Sequence, residues 1–189
     1  MKLWLLRHAR PLVANGVCYG ALDVVADEAA TRVAAQQAAD VLPTGLSVWY
    51  SPLQRCERLA HILRGLRPDL AFKPEPDLQE MNFGTWEGKA WDAVPRQEMD
   101  DWVADFFNYR VGGADSTRAV LARVAQALAI FRQQVYAAGC QDGVWITHAG
   151  VIRCVDLLAC GVKRIDGAEQ WPREVIAFGS LRALDLPPQ

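Results

Sequence analysis

Two of the three histidines in this sequence directly follow short apolar runs. His8 closes Leu3-Trp4-Leu5-Leu6-Arg7, and His148 closes Val144-Trp145-Ile146-Thr147. If both runs are strands of one parallel sheet, both imidazoles stand at its carboxyl edge, where open α/β sheets bind ligands. Arg7 adjoins His8, and Arg55 falls in the first turn of the helix that Ser51-Pro52-Leu53-Gln54 opens. Helix N-termini attract anions, and a guanidinium binds phosphate oxygens two at a time. Two arginines and two histidines without a glycine-rich phosphate loop suit an isolated phosphoryl group. A neutral imidazole can attack phosphorus, because phosphoryl transfer needs positioning and charge neutralisation above all. The departing alkoxide then needs a proton. Glu80, at the end of Leu78-Gln79-Glu80, is the carboxylic acid best placed to supply it, with Glu87 the other candidate.

These groups require elements to hold them. Apolar runs alternating with long helical patterns predict an α/β fold, a three-layer α/β/α sandwich around a mainly parallel sheet. Strands are expected at Leu3–Leu6, Leu46–Tyr50, weakly at 71–74, and at Val144–Thr147. The stretch from Ala9 to Ala26 carries Pro11, Gly16 and Gly20 and reads as a long loop. Helices are expected over 27–42, from Ser51 to about Leu66, over 116–138 and over 151–160. Ser51 would cap the second of these, with Pro52 at its first position and Gln54 completing a capping box. In the third, Val120, Val124, Leu128, Phe131 and Val135 form one stripe, and Gly139 ends it. Val175–Phe178 and Leu181–Leu186 flank Gly179-Ser180 and read as a terminal hairpin. The aromatic, irregular stretch at about 82–115 reads as a small helical cap inserted into a single domain spanning 1–189.

Composition bounds the remaining possibilities. A chain of 189 residues, 51% hydrophobic and 22% charged, is ordinary for one globular domain. Its 20 Lys and Arg against 22 Asp and Glu give a net charge of -2, which offers no general attraction to nucleic acid or anionic lipid. The first apolar run has only four residues, against the roughly 7–15 of a secretory signal, and none reaches the ~20 that span a bilayer. Five cysteines without CxxC spacing suggest neither a disulfide framework nor a zinc site. Reduced thiols in the cytoplasm are the expectation, with no metal.

Taken together the motifs resemble a known family. Leu6-Arg7-His8-Ala9 resembles the Arg-His-Gly signature of the histidine phosphatase superfamily, which includes the cofactor-dependent phosphoglycerate mutases. Ser51-Pro52-Leu53-Gln54-Arg55 resembles that family's Ser-x-Leu-x-Arg helix start. Residues Glu80 to Gly88 resemble its Glu-x-x-Phe-Gly-x-Trp-Glu-Gly segment, and Thr147 to Arg153 its second-histidine motif. The four stand in the family's order. The resemblance implies a phosphohistidine on His8, with Arg7, Arg55 and His148 binding the phosphoryl oxygens. Glu80 would protonate the leaving oxygen and then deprotonate water. It implies no metal and no organic cofactor. Ala9 replaces the family's glycine, Arg10 its common acidic residue, and Ala14 an asparagine, beside Asn15. Within the superfamily, the loop Arg10-Pro11-Leu12-Val13-Ala14 and Gly16-Val17-Cys18-Tyr19-Gly20 is similar to the α-ribazole phosphatases of cobalamin biosynthesis. That likeness implies α-ribazole 5′-phosphate, a small-molecule phosphate monoester, as substrate and adds Tyr19 to the substrate-binding residues.

Other functions compete. A phosphoglycerate mutase would return the phosphoryl group to substrate, and an inert phosphate-binding protein would keep the fold alone. His61, in mid-helix, reads as a surface or packing residue. Trp102, Phe106 and Tyr109 fall at helical spacing and read as packing of a cap helix, although such rings could also stack on a planar base. Cys18 has no basic partner and is not a nucleophile candidate. Oligomeric state is not encoded in any motif.

Overall fold

The computed structural model describes residues 1–187. Five strands, β1 (Lys2–Arg7), β2 (Ser47–Tyr50), β3 (Ala71–Pro74), β4 (Asp142–Thr147) and β5 (Leu181–Asp185), form one sheet in the order β3-β2-β4-β1-β5. The pairings β1–β4, β2–β4 and β2–β3 are parallel, and β5 runs antiparallel to β1. Helices α1 (Glu28–Val41), α2 (Gln54–Leu66), α3 (Arg96–Ala104), α4 (Thr117–Ala137) and α5 (Ala149–Ala159) complete the fold. The α/β class and the mostly parallel sheet agree with the expectation from sequence.

Strand side chains alternate between two cores, as a period of two demands. Leu3, Leu5, Trp49 and Trp145 join the core that α4 and α5 cover. Leu6, Val48, Tyr50, Val144 and Ile146 join the opposite core, with Ala34, Ala35 and Ala38 of α1 and Leu59 and Leu63 of α2. The central strands are buried on both faces, which is why they read as continuous apolar runs. The stripe Val120, Val124, Leu128, Phe131 and Val135 is buried along α4, whose N-cap Ser116 accepts from Ala119 N at 3.2 Å. Gly139 follows the helix with φ 73°, the left-handed conformation that ends helices.

Three local expectations are corrected. Ser51 does not cap α2: the helix starts at Gln54, its N-cap is Leu53, and no side chain of the cap residue bonds to it. Asp23, from the long loop, supplies the acceptor instead, taking Gln54 N at 2.8 Å, while Gln54 Nε2 donates to Asp23 O at 2.7 Å. The capping-box pattern was therefore a false match, because an acceptor 31 residues away meets the free N–H. The terminal hairpin is absent: 175–178 is not a strand, and β5 pairs with β1. Inside the sheet a first-strand edge was open to pairing, and the Ala177–Ser180 turn only delivers the chain to it. Finally, α3 ends at Ala104, so Phe106 and Tyr109 lie beyond the helix, yet Trp102 and Phe106 still stack with centroids 5.5 Å apart. The 82–115 stretch itself consists of α3 and three short 3-10 turns.

Candidate active site

The strand order explains why distant motifs meet. Register pairs Arg7 with Thr147, so His8 and His148 leave adjacent parallel strands at the same level. Their ring centroids are 5.0 Å apart, and His8 N donates to Thr147 O at 3.1 Å. On the other side of β4 lies β2, which delivers Ser51 and then Arg55 at the start of α2. Arg7, His8, Tyr19, Arg55 and Glu80 line one cleft of about 200 Å³, with Val17, Phe83 and Trp91. A larger hollow, about 660 Å³, lies along the 10–19 loop and shares Val17 and Tyr19, but His8, Arg55 and Glu80 do not line it.

The hydrogen bonds assign the imidazole protons. His8 is 1% exposed, and its Nδ1 lies 2.7 Å from Ala9 O, which can only accept. The proton therefore sits on Nδ1, and the lone pair on Nε2, which has no partner among the described residues. Burial first, and the Arg55 charge next, push His8 down to about 3, so the ring is neutral near pH 7. Ala9, where the family's glycine would stand, is itself buried and contributes the carbonyl that orients the ring.

His148 is fully buried and does not line the cleft. Its Nδ1 accepts from Arg55 Nε at 3.3 Å, so the proton is on Nε2, which donates to Ser51 Oγ at 2.8 Å. Burial, then the neighbouring His8 and Arg55, hold His148 well below the ordinary value. In this arrangement both ring nitrogens are engaged within the protein. Contact with a phosphoryl oxygen would require Nε2–H to exchange its partner Ser51, because Nδ1 carries no proton to donate. Ser51 is the His148 partner that sequence reasoning missed; it read as a cap because its position after β2 says nothing about β4 lying beside it.

Arg55 is 1% exposed and donates to Leu22 O at 3.0 Å, Gly20 O at 2.5 Å and His148. A guanidinium has five N–H donors, so two remain for a ligand. Arg7 donates to Ile176 O, stacks on Phe178 with Cζ 3.8 Å from the ring centroid, and keeps a buried Nε without a partner. Tyr19 lies 5.8 Å from the Arg55 guanidinium; burial raises its pKa, and Arg7 and Arg55 oppose the shift.

Geometry separates the two candidate acids. Glu87 accepts the backbone N–H groups of Ala21, Leu22 and Phe83 and clamps the long loop to the segment after Glu80. Glu80 lines the cleft and accepts from Gly150 N at 2.9 Å and Met81 N at 3.1 Å. Arg123 holds its backbone, donating to Asp77 O at 2.6 Å and Glu80 O at 3.2 Å. Glycine at 150 leaves room for this carboxyl, since a Cβ there would stand 2.2 Å from Glu80 Oε1 and displace it. Cys18 and Cys56 are buried and their thiols are pushed up to about 12, chiefly by desolvation. His61 is exposed and outside the cleft. Among the described residues no three His, Cys, Asp or Glu side chains gather as metal ligands, and no helix is long and apolar enough to cross a membrane.

Such a cluster places one histidine, two arginines and a carboxylate around a single cleft at the carboxyl edge of an α/β sheet. Residues 3–185 match the histidine phosphatase superfamily (branch 1), and the chain belongs to that family. Its structure is similar to TTHB049 from Thermus thermophilus, with 28% identity, a TM-score of 0.72, and 99% of this chain and 95% of that chain covered. It also shares its fold with the mycobacterial glucosyl-3-phosphoglycerate phosphatase Rv2419c, at 23% identity and TM-score 0.76, covering 97% and 89% of the two chains. A protein described as mycobacterial hydrolase 1 aligns at 21% identity and TM-score 0.79 over 96% and 87%. No curated protein matches this sequence.

Proposed function

We propose that this protein is a phosphomonoesterase working through a phosphohistidine on His8, and that its substrate is a nucleoside-like 5′-phosphate, α-ribazole 5′-phosphate in particular. The observation that carries the mechanism is the Nδ1–Ala9 hydrogen bond, which leaves a neutral ring with its lone pair on Nε2 in the cleft shared with Arg7, Arg55 and Glu80. In the first step the Nε2–P bond forms and the P–O ester bond breaks, while Glu80 gives a proton to the leaving oxygen. In the second, water attacks phosphorus, Glu80 takes its proton, and the Nε2–P bond breaks to release phosphate. Arg7 and the two free N–H groups of Arg55 neutralise the phosphoryl oxygens. His148 orients Arg55 through Nδ1, and reaches a phosphoryl oxygen only by turning its Nε2–H from Ser51 to the ligand. Tyr19 borders the path of the leaving alcohol, and 82–115 acts as a cap over it. The reading is of a cytoplasmic enzyme for a small molecule, in cobalamin biosynthesis, without a metal, an organic cofactor or a nucleic-acid partner.

The substrate choice rests on the 10–20 loop, and a hydrolysis screen tests it. The panel includes α-ribazole 5′-phosphate, a sugar phosphate, glucosyl-3-phosphoglycerate and 3-phosphoglycerate, with His8→Ala as control. The expected result is preferred hydrolysis of the nucleotide and loss of acid-labile protein-bound phosphate in His8→Ala. Substantial turnover by His8→Ala would mean direct attack by water. Dominant transfer to added 3-phosphoglycerate would make the protein a mutase.

A further inference from the structure

Phe178 is a large apolar ring, 40% exposed, that belongs to neither of the two hydrophobic cores. A single exposed ring is ordinary on a protein surface; the neighbours of this one are not. The Arg7 guanidinium lies over its face, with Cζ 3.8 Å from the centroid, and the His8 ring stands 5.7 Å away at a tilt of 44°. The turn that carries Phe178 is pinned to the same two residues. Gly179 N donates to His8 O at 3.0 Å, and Arg7 N donates to Ser180 O at 3.0 Å. Gly179 adopts φ 73°, and Ser180 closes the turn, its N and Oγ donating to Ala177 O at 3.2 and 2.7 Å. Arg7 lines the His8 cleft and Phe178 does not; the ring walls the neighbouring hollow along the 10–19 loop. It therefore backs Arg7 from the side away from the cleft.

Arg7 sits where its charge needs support. Burial lowers its pKa, Arg55 and Arg153 add to the shift, and Tyr19 and Glu80 oppose it. Its side-chain hydrogen bond goes to a neutral acceptor, Ile176 O, and no carboxylate among the described residues forms a salt bridge with it. An aspartate or glutamate would hold the guanidinium, but it would also occupy the N–H edge and cancel the charge. An aromatic face attracts the cation through the ring quadrupole and leaves that edge free. We propose that Phe178 is a positioning residue of this site, its ring holding Arg7 ordered for a phosphoryl group before any ligand is bound. The inference rests on the reading of the cleft as a phosphoryl site. An arginine ordered in advance spares the ligand the entropy of immobilising a long side chain, a gain of about 3- to 10-fold in affinity.

The test compares the wild type with Phe178→Leu, which keeps an apolar side chain without a flat face, and Phe178→Tyr, which keeps the face. Calorimetric titration with inorganic phosphate reads the anion site without turnover, kcat/KM for p-nitrophenyl phosphate reads it during turnover, and a thermal melt reads the fold. Phe178→Leu should weaken phosphate binding and lower kcat/KM by roughly 3- to 10-fold at an unchanged Tm. Phe178→Tyr should restore both to within about 2-fold of the wild type. Equal phosphate affinity in the wild type and Phe178→Leu overturns the role of Phe178, and so do equal losses in the two variants; continued hydrolysis then leaves the phosphatase standing. Absence of turnover in the wild type, with a phosphate affinity that falls in Phe178→Leu and returns in Phe178→Tyr, overturns the phosphatase reading and leaves the role of Phe178 standing. A wild type that binds no phosphate overturns the Arg7 anion site on which both rest.

Discussion

Substituting alanine for Gly150 would move the acid without removing it. Gly150 is the second residue of α5 and has no left-handed backbone angle, so alanine fits its conformation. The new Cβ would stand 2.2 Å from Glu80 Oε1, whereas ordinary contact begins at 3.4 Å. The obstructing atom is the end of a flexible side chain, so the carboxyl swings away and the backbone stays. A displacement of about 1 Å in a reacting group costs about 100-fold in rate, within the range of 10²–10⁴ that general acid catalysis supplies. Helix propensity favours alanine by up to about 1 kcal/mol, and loss of the Gly150 N–H bond to the displaced carboxyl costs about as much, so the two nearly cancel in Tm. Single-turnover phosphoryl transfer from an alkyl phosphate and from p-nitrophenyl phosphate, with a thermal melt, reads both effects. The expected outcome is a Tm within a few degrees of the wild type and a roughly 100-fold loss for the alkyl ester, with a far smaller loss for the aryl ester, whose leaving group departs without a proton. Wild-type rates on the alkyl ester, or equal losses on both, would refute the assignment of Glu80 as the positioned acid.

Glu80→Gln should show the same alkyl-selective loss and a longer-lived phosphohistidine, seen by trapping acid-labile phosphate. Glu87→Gln should leave the alkyl-to-aryl rate ratio intact and instead lower stability by about 1–3 kcal/mol in urea unfolding, since it weakens a carboxylate bonded to three backbone N–H groups. Arg55→Lys should cost about 2–5 kcal/mol in the same assay, because one ammonium cannot satisfy Gly20 O, Leu22 O and His148 Nδ1 together. His8 has its folded pKa depressed from 6.5 to about 3, so below pH 6.5 the unfolded chain binds a proton that the native protein refuses. Stability therefore falls as pH drops from 6.5 toward 3, and it is unaffected by this group above 6.5. Urea midpoints at pH 7 and pH 5 should show that fall, and His8→Asn should reduce it; an equal slope in both proteins would contradict it.

Hydrophobic period and its interruptions were enough to place the main elements from sequence. The buried run Leu3–Leu6, the α4 stripe from Val120 to Val135 and the two post-strand histidines follow from local spacing alone, since a strand repeats every two residues and a helix every 3.6. The family motifs carried the rest of the candidate site to the level of residue types. Tertiary structure decided what those residues face. Only the order β3-β2-β4-β1-β5 brings His8 and His148 level and sets Ser51 beside them. Strand order depends on which edges pair, and β5 pairing with β1 instead of with 175–178 shows how little a turn signal constrains that choice. The same limit applied to Glu80 and Glu87, equivalent as carboxylates in a row of letters. One received the N–H of Gly150, 70 residues on, while the other received those of a loop 65 residues back. Side-chain hydrogen bonds over such separations follow from packing that no local period encodes, so the sequence could prefer Glu80 by its place in the motif, and the fold adds that Glu80 lines the cleft while Glu87 is held by backbone N–H groups.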